Sequence, residues 1–253
     1  RERAAQQQFP VAAQKFESIR YDVYGLEKAW TCRRRGHADL AGTSLYVLLD
    51  ACLDQSAFCG LAETMVDAGV QLIQLRGKQL SDRELRERAG WLQSIVAPSN
   101  ARWIMNDRAD IAAVAGSHGV HLGQDDLSVA DARRVVGPEK LIGVSTHSLA
   151  QAEQAVLDGA DYIGVGPTYP SLTKAFKRFA GLELIRQVAD KTSMPAFAIG
   201  GIGKENIDEV IAAGATRVAV QAAIQAAANP AAAIQQLQLR LETVADQRLT
   251  SGP

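Results

Sequence analysis

The feature that most constrains the fold of this chain is a repeat in which one short apolar run is followed by one longer amphipathic stretch. From about Leu45 onward the repeat recurs every 25 residues or so. Short apolar runs that alternate with helical patterns indicate βα units, which build a parallel sheet. The sequence contains eight such runs, at 45–51, 70–75, 101–105, 119–122, 140–144, 161–165, 195–199 and 217–220.

Eight βα units within roughly 200 residues predict an α/β fold of the (β/α)8 TIM-barrel type, at the small end of its size range. An open doubly wound sheet is the competing fold. No GxGxxG turn follows the first run, and the even spacing of the units does not divide them into two halves. Both observations favour the closed barrel, which we place at residues 44–247.

Residues 1–43 follow a different pattern and are expected to form an N-terminal helical extension and a linker. Apolar residues recur there at steps of three and four, as they do on one face of a helix: Phe16, Ile19, Val23, Leu26 and Trp30. We expect this stripe to pack on the outer face of the barrel or on a partner subunit, and we assign it no chemistry. At the other end of the chain, residues 248–253 are expected to form a frayed tail.

Charge and composition limit the classes of partner. Lys and Arg total 27 against 28 Asp and Glu, so no net field draws the chain onto nucleic acid or an anionic membrane. No apolar run approaches the roughly 20 residues needed to span a bilayer, and the first residues lack the apolar core of a secretion signal. Cys32, Cys52 and Cys59 show no paired metal-ligand spacing, which favours reduced thiols. We predict a cytoplasmic protein that binds neither nucleic acid nor membrane; a homo-oligomer remains open.

Polar residues follow the predicted strands at their C-terminal ends, where barrels of this type carry their active sites. The second strand ends in Gln74, Arg76 and Lys78, which alternate along the chain and therefore project to one side of an extended segment. The later strands also end in polar or glycine residues: Asn106, Asp107, Gln124, Asp125, Asp126, Ser145, Thr146, His147, Ser171, Thr173, Lys174, Gly200, Gly201 and Gln221, the last followed by Ala222. We expect all of them to meet on one rim.

The residue types at this rim predict two phosphorylated ligands. Three cations and two carboxylates are typical of a pyrophosphate bound with Mg2+, which takes one or two carboxylates and completes its shell with phosphate oxygens and water. These residues are Arg76, Lys78, Lys174, Asp107 and Asp126. Separately, the pair Gly200 and Gly201 and the stretch after strand eight match the place where many barrels bind a monophosphate through backbone N–H groups.

Other catalytic signatures are missing from the sequence. It contains no GxSxG or HExxH motif and no Cys with an evident His partner, so a covalent serine, zinc or cysteine mechanism has little support. His121 falls inside a strand pattern, and we interpret it as a core residue or one that supports the site. We interpret His147, at the rim, as structural.

Six stretches together resemble the thiamine-phosphate synthase family, whose members are (β/α)8 enzymes. In the family's order, they are QLRGK (74–78), ND (106–107), HLGQDD (121–126), GVSTH (143–147), GVGPTYPSLTK (164–174) and AIGGI (198–202), and the resemblance covers about 45–224. It implies a transferase that joins hydroxymethylpyrimidine diphosphate to thiazole phosphate, releases pyrophosphate and uses Mg2+ as cofactor.

The resemblance also implies a role for each matching residue. Gln74 would contact the pyrimidine, and Ser145 would line the region between pyrimidine and pyrophosphate. Asp107 and Asp126 would bind the Mg2+. The pyrophosphate would be bound by Arg76, Lys78, Asn106 and Lys174, and the thiazole phosphate by Ser171, Thr173, Gly201, Gln221 and Ala222. The expected catalytic residues are Arg76, Ser145 and Lys174.

This chain departs from the family after strand eight. Gln221 and Ala222 stand where the family usually has a Val-Ser pair that caps the thiazole phosphate. One hydroxyl donor is therefore absent, which weakens binding by roughly 1 kcal/mol unless Gln221 substitutes for it. Ser171 stands in place of the family's usual Thr.

The implied mechanism agrees with the residues present. If pyrophosphate leaves first and the thiazole nitrogen captures the pyrimidine-methyl cation, catalysis is mostly leaving-group stabilisation and alignment. The attacking nitrogen carries no proton, so no general base is required.

Three alternatives stay open. A relative such as the thiazole tautomerase would bind thiazole phosphate without displacing pyrophosphate, but it would not need the pyrophosphate and Mg2+ residues found together here. A phosphate-binding barrel isomerase would need an acid and base pair that the sequence does not show. A scaffold role would leave the polar rim unexplained.

Overall fold

A computed structural model of the chain shows a closed barrel of eight parallel strands. It describes residues 14–16, 18–20, 23, 36, 38–170 and 179–250, with side chains as far as 243. The strands follow one another around the barrel in chain order, and the eighth pairs with the first through Leu45 and Val218. The predicted TIM barrel is confirmed, and the open doubly wound sheet is excluded.

Each strand begins and ends within two residues of its predicted run. The strands are β1 Leu45–Asp50, β2 Leu72–Arg76, β3 Arg102–Asn106, β4 Gly119–Leu122, β5 Leu141–Thr146, β6 Tyr162–Val165, β7 Ala196–Ile199 and β8 Val218–Val220. The helices with described bounds are α1 Gln55–Asp67, α2 Asp82–Val96, α3 Ala109–Ala115, α4 Val129–Val136, α5 Leu149–Asp158, α6 Gly181–Lys191, α7 Ile207–Ala212, α8 Ala222–Gln225 and α9 Pro230–Thr250. Helix α9 thus continues past residue 248, where we expected the tail to fray, and residues 251–253 lie outside the described part.

Local capping fixes where several of these helices begin and end. Ser81 and Glu84 form a capping box at the start of α2, in which each side chain bonds the other residue's backbone N–H. The Asp54 side chain accepts the N–H of Ala57 at 2.9 Å and starts α1. Gly159 ends α5 in the left-handed conformation that glycine adopts without steric cost. These signals fix the first residues of α1 and α2 and the last residue of α5.

Strand alternation divides the apolar residues into two cores. Outward-facing strand residues such as Val47, Ile73 and Trp103 are buried beneath the surrounding helices. Inward-facing residues such as Tyr46 and Leu72 fill the barrel interior, together with Leu48, Ile104, Leu141, Tyr162, Phe197 and Ala219. The same inward parity continues to the C-terminal end of each strand. Polar residues that follow it therefore open into one space.

The segment before β1 closes the N-terminal end of the barrel. Leu40 is completely buried and packs with the interior cluster that contains Leu72 and Leu141. A Cβ on Gly36 would lie 2.0 Å from the carbonyl oxygen of Asp161, so the backbone there passes close against the start of β6. The barrel interior is thus sealed at the end opposite to the polar rim.

The described part of the N-terminal stripe is not covered by the barrel. Phe16, Ile19 and Val23 are helical but remain 61%, 50% and 54% exposed, so the barrel does not cover these three side chains. Packing on a partner subunit stays a prediction. Leu26 and Trp30 lie outside the described residues. Across the described part of the chain, none of the helices has the length and apolar character needed to cross a membrane.

Candidate functional site

A cavity of about 350 Å3 opens at the C-terminal end of the barrel. It brings together eight of the site residues predicted from the sequence, namely Gln74, Arg76, Lys78, Asn106, Asp107, Asp126, Ser145 and Gln221. Gly201 and Ala222 do not line it: Gly201 adjoins the lining residue Gly200, and Ala222 lines a separate cleft beside α9. Ser171, Thr173 and Lys174 lie outside the described residues.

The end of β2 supplies a graded row of polar side chains. Gln74, Arg76 and Lys78 alternate along the chain and all three line the cavity, as strand geometry predicts. Gln74 is buried at the floor, Arg76 is partly buried, and the Lys78 side chain is half exposed at the mouth. The row therefore runs from a neutral amide at the bottom to two cations near solvent.

Two carboxylates meet near the mouth. Asp107 follows β3, and its Oδ2 lies 3.1 Å from Lys78 Nζ. Burial raises the pKa of Asp107 above its ordinary value, and a hydrogen bond and charge repulsion from Asp126 add to that effect, while Lys78 opposes it. Asp126 Oδ2 accepts the backbone N–H of Gly123 at 2.6 Å. One lysine thus does not fully compensate the paired carboxylates.

The backbone at Asp107 is strained. Its φ is +62°, and among the described residues it is the one non-glycine with positive φ. The conformation is held in place because the Asp107 N–H donates to the carbonyl of His121 at 2.8 Å, across the neighbouring strand. Strained residues of this kind concentrate at functional sites. In this conformation the Asp107 carboxylate contacts Lys78 and Asp126.

This acidic pair is the part of the described chain best suited to a hard cation. No group of three or more His, Cys, Asp or Glu residues capable of holding a metal occurs among the described residues. Mg2+ does not require such a group, because it is commonly bound by one or two carboxylates and takes its other ligands from substrate phosphates and water. Burial and the neighbouring Asp126 carboxylate raise the pKa of Asp107, so a cation between the two carboxylates would favour their ionised forms.

A continuous chain of hydrogen bonds crosses the cavity floor, and we call its five residues the floor relay: Gln74, Tyr46, Tyr162, His121 and Ser145. Gln74 Nε2 donates to Tyr46 OH at 2.7 Å, and the two phenol oxygens lie 3.1 Å apart. Tyr162 OH lies 3.2 Å from His121 Nδ1, and His121 Nε2 lies 2.9 Å from Ser145 Oγ. The relay thus joins strands β1, β2, β4, β5 and β6.

Burial keeps the titratable members of the relay neutral. It raises the pKa values of Tyr46 and Tyr162 well above the ordinary phenol value. It also lowers the pKa of His121 to about 4, against a small opposing effect of Asp126. At neutral pH, two phenols and one uncharged imidazole therefore lie beneath the charged mouth of the cavity.

Glycines on β5 and β6 make room for the relay. A Cβ on Gly143 would lie 2.1 Å from Cζ of Tyr162, and one on Gly164 would lie 3.4 Å from Cε1 of His121. The Tyr162 ring therefore lies directly over the backbone of β5. Sequence reasoning treated these glycines only as part of the family motif.

The relay contains residues of the candidate site that sequence reasoning missed. Tyr46 and Tyr162 were not singled out, and His121 was interpreted only as a core or supporting residue. The available signal was that a buried tyrosine normally finds a hydrogen-bond partner for its hydroxyl. Both tyrosines share the inward parity of Gln74 and Ser145.

The loop after β7 approaches the cavity through two glycines with positive φ. A Cβ on Gly200 would lie 2.8 Å from Cα of Pro167, and one on Gly201 would lie 2.5 Å from the carbonyl oxygen of Pro170. These contacts press the loop against the segment after β6. That segment is also held by His147, whose Nδ1 lies 2.6 Å from the carbonyl oxygen of Gly166 and so acts as a donor.

Known proteins resemble this chain over the whole barrel. A family model described as thiamine monophosphate synthase matches residues 45–224. A thiamine-phosphate synthase of Rhodopirellula baltica is 44% identical over 219 residues, which are 82% of this chain and 58% of that protein. A thiamine-phosphate synthase of Mycobacterium sp. (strain JLS) is 43% identical over 208 residues, or 78% of this chain and 92% of that protein.

A solved structure shows the same resemblance in three dimensions. The thiamine phosphate pyrophosphorylase of Pyrococcus furiosus superimposes with a TM-score of 0.72 and 32% identity, and the match covers 80% of this chain and 96% of that one. Lengths differ among the relatives. The chain spans about three fifths of the Rhodopirellula baltica protein but nearly all of the mycobacterial one.

Proposed function

This chain belongs to the thiamine monophosphate synthase family, and from that premise we propose that it joins hydroxymethylpyrimidine diphosphate to thiazole phosphate, giving thiamine phosphate and pyrophosphate. The observation that carries the proposal is that one cavity has a charged mouth above a neutral polar floor. Cations and paired carboxylates at the mouth suit a diphosphate, and the neutral polar floor suits an uncharged heterocycle.

The diphosphate is assigned to the mouth of the cavity. Arg76 and Lys78 line this region with Asn106, which offers an amide donor. Guanidinium and ammonium groups bind phosphate oxygens through charge-assisted hydrogen bonds, which are stronger than neutral ones. Lys174, which the family motif also assigns to the pyrophosphate, lies outside the described residues. These groups stabilise the negative charge that develops as pyrophosphate departs.

The pyrimidine is assigned to the floor. Gln74 is buried there, and one of its amide N–H groups is already used by Tyr46. Its carbonyl oxygen and second N–H remain for the donor and acceptor of an aminopyrimidine edge. Ser145 faces the same space from β5. A diphosphate that extends from the pyrimidine towards the mouth would then pass from Ser145 to Arg76 and Lys78.

Mg2+ is the implied cofactor, and Asp107 and Asp126 are the residues that would hold it. Bound there, the ion would neutralise charge on the diphosphate oxygens. The residues of the chain itself bind and orient the two substrates, and Lys78 partly compensates the charge of the carboxylates before substrate arrives. The attacking thiazole nitrogen carries no proton, so no side chain is needed as a base, and alignment of the substrates supplies much of the rate enhancement.

The thiazole phosphate is assigned to the rim near β7 and β8. Gln221 lines the cavity, and the loop of Gly200 and Gly201 lies beside it. Ser171 and Thr173 complete this site in the family pattern. We place the reaction in the cytoplasm, where the free thiols Cys52 and Cys59 match a reducing compartment.

Incubation of the purified chain with both substrates, with and without Mg2+, tests the proposal. We expect Mg2+-dependent formation of thiamine phosphate and an equal amount of pyrophosphate, separated by chromatography. Binding of thiazole phosphate without any product would instead favour a relative that does not displace pyrophosphate. Lack of both binding and product would contradict the proposal outright.

Two matched lysine variants test the assignment of the pyrophosphate site. Lys174→Ala should lower kcat by at least about a hundredfold, because a charge that stabilises the leaving group is lost. Lys191→Ala removes an exposed lysine at the end of α6 and should leave kcat unchanged. Equal turnover in the two variants would remove Lys174 from the site.

A further inference from the structure

The hydrogen bonds of the floor relay depend on one another, because the choice of donor in one bond fixes the donor in the next. A phenol donates one proton, and a neutral imidazole donates from one nitrogen and accepts at the other. A chain built from such groups has two self-consistent directions. Reversal of the bond between the two phenols also reverses the bonds of His121 to Tyr162 and to Ser145, while Gln74 Nε2 still donates to Tyr46.

The two directions give the cavity different chemistry. In the first, Tyr162 donates to His121 Nδ1, and Nε2–H of His121 donates to Ser145 Oγ. The Ser145 hydroxyl proton is then free for a ligand. In the second, Ser145 donates to His121 Nε2, and its oxygen offers a ligand only lone pairs. The protonated nitrogen of His121 therefore decides whether Ser145 acts as donor or acceptor.

We propose that the floor relay runs in the first direction, from Gln74 to Ser145, and that Tyr46, Tyr162 and His121 are positioning residues which make Ser145 a hydrogen-bond donor to the bound substrate. The direction begins at the Gln74 end, where Nε2 lies 2.7 Å from Tyr46 OH. An amide nitrogen only donates, so in this direction the Tyr46 hydroxyl donates to Tyr162 OH, 3.1 Å away, and Tyr162 donates to His121 Nδ1, 3.2 Å away.

The surroundings favour a relay with one fixed direction. Tyr162 is completely buried, and Tyr46 and His121 are only 2% and 7% exposed, so water competes little for their hydrogen bonds. Edge-on ring contacts between Tyr46, Tyr162 and Phe197 hold both phenols in place, with centroids 5.3–6.0 Å apart. Gly143 leaves the space that the Tyr162 ring needs.

The assigned ligand atom is an acceptor near Ser145. With the proposed function, on which this step rests, it is an oxygen or ring nitrogen of the pyrimidine diphosphate. A donor in this position stabilises negative charge that appears on the leaving group. The relay thus connects a neutral amide that contacts the heterocycle to a hydroxyl that lies where the bond breaks.

Nitrogen NMR of the histidine-labelled chain at pH 7 tests the direction without any assay of activity. The protonated nitrogen of a neutral imidazole is read from its 15N shift. We expect His121 to carry its proton on Nε2. Two histidines serve as internal references: His147 donates from Nδ1 to a carbonyl, and His118 Nδ1 accepts the N–H of Trp103 at 3.2 Å. A proton on Nδ1 of His121 would overturn the proposed direction.

Tyrosine variants test whether the relay sets the histidine proton. Tyr162→Phe removes the donor to His121 Nδ1, so we expect the Nε2–H form to give way to a mixture of both forms. Tyr169→Phe removes a hydroxyl that bonds Glu209, outside the relay, and should leave the His121 signals as they are in the wild type. An unchanged His121 spectrum in Tyr162→Phe would show that the relay does not set the proton.

A double-mutant cycle tests the link to Ser145. Tyr162→Phe alone should lower kcat by about tenfold, as expected for one misdirected hydrogen bond, with the KM for thiazole phosphate within twofold of wild type. In a Ser145→Ala background the same change should have no further effect on kcat, because the receiving hydroxyl is gone. Additive losses would overturn the positioning role. If the wild type shows no turnover, the proposed function fails, and the 15N shifts still decide the relay.

Discussion

Lys78 Nζ lies 3.1 Å from Asp107 Oδ2, so the mouth of the cavity already contains an ion pair that a ligand must rearrange. Both side chains are partly exposed, at 50% and 24%, and such pairs contribute little to stability. The same two groups are the ones assigned to the diphosphate and to Mg2+. Binding of both ligands would replace one weak contact with two stronger ones.

Asp107→Asn separates the charge of this residue from its backbone strain. Asparagine tolerates positive φ, so the fold should be retained, while loss of the carboxylate should lower kcat by about a hundredfold or more and raise the Mg2+ concentration needed for half-maximal rate. Steady-state kinetics against Mg2+ concentration gives both values. Near-normal turnover would remove Asp107 from the metal site.

Asp107→Ala provides the comparison for that variant. Alanine at φ of +62° costs about 1–2 kcal/mol of unfolding free energy, so this variant should lose both activity and stability. Thermal unfolding of the two variants side by side measures the difference. Equal melting temperatures would contradict the strain at this position.

The buried His121 predicts a loss of stability in acid. Its pKa in the folded chain is about 4, against an ordinary value of 6.5, so the unfolded state binds the proton more readily. The folded state therefore keeps its full stability above pH 6.5 and loses roughly 3 kcal/mol of unfolding free energy as the pH falls towards 4. The unfolding free energy, measured with denaturant at several values between pH 7 and pH 4, should fall more steeply with decreasing pH in the wild type than in His121→Gln. Parallel curves would contradict the prediction.

Two glycine variants should change stability in opposite directions. Gly143→Ala places a Cβ 2.1 Å from Cζ of Tyr162, which should cost about 1–3 kcal/mol through overpacking. Gly60→Ala, in helix α1 with open space around its Cβ position, should instead gain up to about 1 kcal/mol. Urea unfolding of both variants measures the two effects. A neutral Gly143→Ala would mean that Tyr162 moves freely, which would also weaken the floor relay.

Ala222→Ser tests the departure from the family after β8. If a serine hydroxyl normally caps the thiazole phosphate, its return should lower the KM for that substrate by roughly fivefold, which corresponds to about 1 kcal/mol. The KM for the pyrimidine diphosphate should not change. An unaffected KM for thiazole phosphate would indicate that Gln221, which lines the cavity, already replaces the missing donor.

The sequence predicted the barrel fold and most of the residues at its rim, because both follow from local periodicity. Alternation places Gln74 and Arg76 on one side of β2, and the eight repeats determine that all strand ends meet. It missed the pairing of Tyr46 with Tyr162, which are 116 residues apart. Their contact depends on the barrel diameter and on the absence of a side chain at Gly143, neither of which a single strand encodes.

The N-terminal stripe shows what helical periodicity can and cannot predict. Helical spacing correctly indicated a helix with one apolar face, and the described residues there are helical. The same spacing carries no information about what covers that face. Phe16 and Val23 are more than half exposed, so the barrel does not cover these two side chains, and packing of the stripe on a partner subunit stays a prediction.

Leu40 closes the N-terminal end of the barrel, so among the described residues the cavity opens to solvent at its C-terminal mouth. A molecule in contact with Gln74 and Ser145 lies beneath anything bound at the rim. It must therefore arrive before the upper ligand, and it is trapped until that ligand or its product has gone. Binding should be sequential, and a rim ligand that arrives too early should act as an inhibitor of its own reaction.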